Sequence, residues 1–310
     1  NVKVTGIHGN FDDAQSGVKT LFGDGELEKE MASAGFQFSS ANSINIGRLV
    51  PQIVYYVYAY AKLYANGEIE KDEKINIVVP TGNFGNILAA YYAKQMGLPV
   101  AKLICASNEN KVLFDFFQTG SYNRNREFIL TSSPSMDILI SSNLERLIYQ
   151  IADCDDKADA ALMKALSEKG EYEITSVMRE KLRDFYGNFA TEQETAAAIR
   201  DLYEKTGYVI DPHTAVAACV CRKYKADTAD AAKTLIASTA SPYKFTHSVM
   251  EAIGVACEGK DDFALADELS KLSGTEIPKA VEEIRTASVL HDTVVEVPQM
   301  KEAVKKFLGM

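Results

Sequence analysis

No apolar run in the 310 residues approaches the ~20 that a membrane-spanning helix requires. The opening Asn1-Val2-Lys3-Val4 shows neither a signal peptide nor an initiator Met, and the missing Met leads us to expect a trimmed sequence. Positive charge is in deficit: 33 Lys and Arg stand against 43 Asp and Glu, a net of −10. That balance argues against a broad nucleic-acid or acidic-membrane footprint and leaves room only for a local cationic pocket. No CxxC occurs. Cys105, Cys154, Cys219, Cys221 and Cys257 form an odd set, mostly among apolar neighbours, and read as reduced core thiols of a cytoplasmic protein. On an unbroken helix Cys219 and Cys221 would point about 200° apart and could not share a zinc ion. His8, His247 and His291 have no partners at metal-ligand spacing, and the motifs GxSxG, GxGxxG and Gly-Lys-Ser/Thr are absent. No metal site and no serine nucleophile is expected.

What is present is ordinary globular composition, 46% hydrophobic and 25% charged, enough for one large domain or two. Residues 2–7 have strand composition, and Asp12 or Asp13 is placed to cap a helix that ends at Phe22 before Gly23. A strand this early has no preceding partner, so its sheet is expected upstream and the chain is expected to open in mid-domain. From Asn45 a helical period sets Ile46, Leu49, Ile53, Val57 and Tyr60 on one face as far as Asn66-Gly67. Pro51 demands either a kink or a separate first turn there. A buried strand at 75–79, a Gly-containing loop, a helix over 87–96 and a strand over 100–105 then compose a parallel βαβ unit. Helical spacing recurs over 141–151, 158–166, 191–205 and 212–224, followed by a strand at 234–237. Helices over 246–257, 263–272, 278–285 and 299–308, with a strand at 294–297, complete the chain. Such alternation predicts an α/β fold, a mostly parallel sheet flanked by helices, which places ligands at the C-terminal ends of its strands.

The loop Thr81-Gly82-Asn83-Phe84-Gly85-Asn86 lies where a strand ends and a helix begins. Glycines permit tight turning, and N–H groups left unpaired there converge with the helix dipole on an anion; a plain turn is the alternative. The next strand ends in Ala106-Ser107 without an acidic group for a ribose, so a smaller phosphorylated ligand suits the loop better than a dinucleotide. Ser40–Arg48 offers polar residues that cap the following helix, or else Asn42, Ser43 and Arg48 together hold a second phosphate. A hydroxyl in Ser238-Thr239-Ala240-Ser241 either meets a ring nitrogen or ends its strand. Asp211-Pro212 reads as an N-cap followed by the first helical residue, which leaves His213 as a helix-end residue.

Six ordered segments, GNFDDAQSGVK (9–19), SSANSINIGRL (39–49), VPTGNFGN (79–86), SPSMDILISSNLERL (133–147), DPHTA (211–215) and STASPYKF (238–245), together resemble the threonine synthases. These are pyridoxal 5'-phosphate enzymes of fold type II, the tryptophan-synthase-β type. The likeness runs nearly the whole chain. It implies a carbon–oxygen lyase of threonine biosynthesis that converts O-phosphohomoserine and water to threonine and phosphate. It also implies that Gly82, Asn83, Phe84, Gly85 and Asn86 cradle the cofactor phosphate, that Thr239 faces the pyridine nitrogen, and that Asn42, Ser43 and Arg48 bind the substrate phosphate. Position 241 departs from the family, which carries His where Ser241 stands, and receives no role.

The family's Schiff-base lysine lies upstream of these residues, so the resemblance places no catalytic residue in this chain. It implies a C-terminal two-thirds of the fold: residues 1–35 as the last strand–helix unit of a small domain, and 36–310 as the large cofactor-binding domain. Competing expectations are a threonine dehydratase-like lyase, whose substrate would give Arg48 no phosphate to bind, a threonine-synthase-like phospho-lyase, and a non-catalytic binding domain.

Overall fold

The apolar run at 75–80 forms a strand, β1 (Ile75–Pro80), buried at every position. The other strands of its sheet are β2 (Val100–Ser107), β3 (Phe185–Phe189) and β4 (Thr234–Ile236). They lie in the order β3-β2-β1-β4 and all pair in parallel. Because side chains alternate along a strand, Ile77, Val79, Leu103 and Cys105 enter one core with Ile87, Leu88 and Phe116 from the helices Gly85–Gln95 and Val112–Thr119. Val78, Ile104 and Ala106 enter a second core on the opposite face, with Ile199, Val216 and Val220 from the helices Glu192–Thr206 and Pro212–Thr228. Each such aliphatic side chain stabilises the fold by ~1.5–3 kcal/mol on burial. The result is a three-layer α/β arrangement with a mostly parallel sheet, as the alternation of elements predicts.

The computed structural model describes residues 2–310. They divide into two compact units, Asn42–Ile277 and a second made of residues up to Ala41 together with Pro278–Met310. In the larger unit Pro51 separates a first helical turn from the rest: Ile46–Leu49 is α-helical, Val50–Gln52 tightens to a 3₁₀ turn, and Ile53–Ala65 resumes the α-helix. A proline at the start of a new segment gives up no helix bond that the segment needs. Sequence spacing did not reveal β3, the helix Val112–Thr119, or the small antiparallel pair Ser121–Asn123 with Glu171–Glu173. The last three are short and carry Gly, Asn or polar residues at their ends, which blunts any period.

In the other unit Gly6–His8 pairs in parallel with Val294–Glu296. One partner of this early strand thus comes from near the other end of the chain, since strand pairing does not require neighbours in sequence. Residues 278–310, placed with the large domain by the sequence, group instead with the first 41. The helix Phe11–Phe22 is capped by Asn10 and not by Asp12 or Asp13: Asn10 Oδ1 accepts from Asp13 N at 3.0 Å, and Asp13 Oδ2 accepts from Asn10 N at 2.9 Å. Leu21, Leu27 and Met31 pack with Phe38, Met300 and Val304, and Lys301 Nζ meets Asp24 Oδ2 at 2.6 Å. Among the described residues no helix is long and apolar enough to cross a membrane.

Candidate functional site

The loop that follows β1 turns on Phe84, whose backbone is left-handed (φ 64°) without being glycine. That conformation costs roughly 1–2 kcal/mol. The Phe84 ring offsets it, being 1% exposed and lying 6.2 and 6.0 Å from the rings of Phe117 and Phe185. The loop's carbonyls are drawn to one side. Ser141 Oγ donates to Gly82 O at 2.7 Å, and Asn143 donates its N and Nδ2 to Asn83 O at 3.1 and 2.8 Å. Inside the helix the first bond is Leu88 N to Phe84 O. Among the described residues no acceptor takes the N–H groups of residues 82–87. A row of unclaimed donors at the start of an eleven-residue helix is suited to an anion.

The glycines have a packing role that spacing alone does not show. A Cβ on Gly82 would stand 2.6 Å from Ser135 O, and one on Gly85 would stand 2.4 Å from Ser43 Cβ. Residues 133–137 are held by Asp137, whose Oδ1 accepts from Asn108 Nδ2 at 2.7 Å, Asn110 Nδ2 at 3.0 Å and Thr131 Oγ1 at 2.7 Å. This buried carboxylate is satisfied by its own neighbourhood and frames the backbone on which Gly82 rests.

Thr239 follows β4, the neighbour of β1, so it reaches the same end of the sheet as the loop. Thr239 and Asn86 both line a cavity of about 380 Å³ together with Tyr55, Tyr56, Ala237 and Ser238. Tyr56 OH donates to Asn86 Oδ1, and burial pushes the phenol well above its ordinary range, so it stays a donor. Gly82, Asn83, Phe84 and Gly85 do not line this cavity.

For Ser40–Arg48 the structure assigns the capping role to a single residue. Asn45 is the helix cap, its Oδ1 accepting from Gly47 N at 2.9 Å. Asn42 Oδ1 accepts from Ile44 N at 3.1 Å, and Ser43 Oγ accepts from Gln52 Nε2 at 2.8 Å. Arg48 is exposed, and among the described residues its guanidinium has no hydrogen bond or ion pair. Ser43 lies against Gly85, so this loop reaches the start of the Gly85–Gln95 helix.

Two groups of residues escaped the sequence reading. Arg146 donates to the carbonyls of Ser43 and Ile44. Asp211 does cap its helix, its Oδ1 accepting from His213 N at 2.9 Å and Thr214 N at 3.3 Å, but its carboxylate does more than that. Thr214 Oγ1 donates to its Oδ2, and Ser238 Oγ lies 3.0 Å from Thr214 Oγ1. His213 Nδ1 is 3.1 Å from Asp211 Oδ1. Burial alone would raise the Asp211 carboxyl, yet the bonds from His213 and Thr214 outweigh it and hold the group below its ordinary range. The only signal for either group was membership in the motifs SSNLER and DPHTA.

Comparison with known proteins places these observations. Residues 214–307 match the family model "Threonine synthase, C-terminal". The human protein Threonine synthase-like 1 is 43% identical over 253 residues, which span 81% of this chain and 34% of that protein. Threonine synthase of Saccharomyces cerevisiae is 37% identical over 289 residues, spanning 88% of this chain and 55% of the yeast enzyme. A crystal structure of pyridoxal-phosphate-bound threonine synthase from Brucella melitensis superposes with a TM-score of 0.80 at 34% identity, covering 99% of this chain and 59% of that one. The chain thus spans between a third and three-fifths of the relatives it matches.

Proposed function

The chain belongs to the threonine synthase family, and from that premise we propose that the protein carrying it converts O-phosphohomoserine and water to threonine and phosphate with pyridoxal 5'-phosphate. The observation that carries this reading is the row of unclaimed N–H groups at residues 82–87, with the Thr239 hydroxyl at the same end of the sheet. A phosphate-bearing ring cofactor fits that pairing. Gly82, Asn83, Phe84, Gly85 and Asn86 would hold its phosphate through backbone N–H groups, and Thr239 would meet its ring nitrogen as a neutral hydroxyl. When bound, the cofactor supplies an electron sink for breaking bonds next to the amino-acid nitrogen.

The remaining work falls to this chain's own residues. Arg48, exposed and among the described residues without a hydrogen bond or ion pair of its guanidinium, is suited to the substrate phosphate, with the Asn42 amide and Ser43 hydroxyl on the same loop. Tyr56 fixes the orientation of Asn86 at the cavity wall. As the resemblance implies, we place the lysine joined to the cofactor outside these 310 residues. Borohydride reduction of the isolated chain with pyridoxal phosphate should then leave no single lysine stoichiometrically modified. We place the protein in the cytoplasm, a reading that its five free thiols support. The unit Asn42–Ile277 would be the cofactor-binding body.

The test is product analysis on the whole protein given O-phosphohomoserine: threonine and phosphate should appear in equal amounts. A second reading, one of the alternatives that the sequence left open, is a threonine-synthase-like phospho-lyase that releases phosphate without forming threonine. Phosphate release with no threonine would establish it. Turnover of threonine with no phosphate-bearing substrate would point to a dehydratase.

A further inference from the structure

Between the two anion loops runs a short relay within one helical turn. Asn143 donates its N and Nδ2 to Asn83 O, and its Oδ1 accepts from Arg146 Nη1. Arg146 Nη2 donates to Ile44 O at 2.7 Å, and its Nη1 lies 3.5 Å from Ser43 O. On the far side Gln52 Nε2 donates to Ser43 Oγ at 2.8 Å and to Arg48 O at 2.9 Å. The path from Asn83 to Arg48 is therefore continuous through Asn143, Arg146, Ser43 and Gln52. A guanidinium engaged by two carbonyls and an amide oxygen has few donors left for a ligand. Its planar fork presents spaced donors that meet two successive carbonyls at once, a geometry that the single ammonium centre of a lysine does not reproduce. The two arginines thus differ: among the described residues the Arg48 guanidinium has no hydrogen bond or ion pair, and Arg146 is committed.

Resting on the reading of Asn42, Ser43 and Arg48 as the substrate-phosphate loop, we propose that Asn143 and Arg146 are positioning residues that hold this loop in register with the cofactor loop and touch neither anion themselves. The register matters because Ser43 sits against Gly85: a shift of the Ser43–Ile44 backbone moves the phosphate ligands relative to the start of the Gly85–Gln95 helix.

The test uses the whole protein, titrated with pyridoxal phosphate and, once loaded, with inorganic phosphate as the probe of the second site. Arg146→Ala should weaken inorganic phosphate by about 10-fold or more while changing pyridoxal-phosphate affinity by less than about threefold. Arg146→Lys, able to reach one carbonyl, should fall between, and it keeps the test open if the alanine variant does not fold. In turnover the KM for the phosphorylated substrate should rise with kcat nearly constant. Equal loss of both ligands in Arg146→Lys, or phosphate affinity unmoved in either variant, overturns the proposal. Arg48→Ala separates this failure from that of the parent reading. If inorganic phosphate binds as well to Arg48→Ala as to wild type, the substrate loop is misassigned and the role of Arg146 falls with it.

Discussion

The Nε2 of His213 accepts a hydrogen bond from the backbone N–H of Ser135 at 3.3 Å, across 78 residues of chain. An accepting Nε2 assigns the proton to Nδ1, which then donates to Asp211 Oδ1. The ring lies 5.0 Å from that of Phe245 and is 3% exposed. A residue that local reasoning leaves at a helix end thus joins the backbone under Gly82 to the helix cap and, through Thr214, to Ser238 beside Thr239.

Asp211→Ala should lower stability by about 2–4 kcal/mol at neutral pH, the combined effect of losing a cap and buried bonds to a charged group. The carboxyl's folded-state pKa lies below its unfolded value. Its contribution is therefore complete above the unfolded pKa and is lost as pH falls through the folded one. Urea unfolding as a function of pH checks both points: the wild type should lose stability more steeply than the variant below about pH 4. Parallel curves would show that Asp211 is not held as described.

Gly85→Ala should cost about 1–3 kcal/mol, because its Cβ would meet Ser43 Cβ at 2.4 Å and force the Ser43 loop to move. Phosphate affinity should fall with it. Thermal unfolding and phosphate titration of the same preparation give the two numbers, and a variant as stable as wild type would contradict the close approach.

Thr239→Val should weaken pyridoxal phosphate by about 2- to 10-fold, the range expected for one hydrogen bond. Thr239→Ser should bind as the wild type does. If Val and Ser behave alike in a fluorescence titration, the hydroxyl has no ring partner.

Burial pushes the Cys105 thiol up to about 12, whereas Cys154 is exposed. Because the thiolate is the reactive form, iodoacetamide at pH 8 should modify Cys154 in the native protein and reach Cys105 only after unfolding. Peptide mapping at short times reads this directly, and early label on Cys105 would contradict its place in the core.

What was legible in the sequence is what short stretches of chain decide. The strand before the Gly82 loop, the break at Pro51 and the Asp211 cap each follow from residues within a turn or two of one another. Asn45 in place of Asn42 or Ser43 as the cap was a choice among adjacent candidates that spacing could not make. Arg146, His213 and the steric need for Gly82 were illegible because their partners lie 53 to 103 positions away, as the Arg146–Ser43 distance of 103 residues illustrates. The grouping of 278–310 with the first 41 residues rests on a strand of three residues, Val294–Glu296, too short to show a period.

That pair of strands sets an order of events for folding. Gly6–His8 and Val294–Glu296 close a loop of about 285 residues, and closing so long a loop loses chain entropy that three paired positions repay poorly. Their pairing belongs to the end of the folding reaction, after β1 and β2, joined by one short helix, have met. In the native state the same short pair should be among the first places to open. Its amide hydrogens are expected to exchange by local fraying, and those of the fully buried Ile77 and Ile104 only on global unfolding.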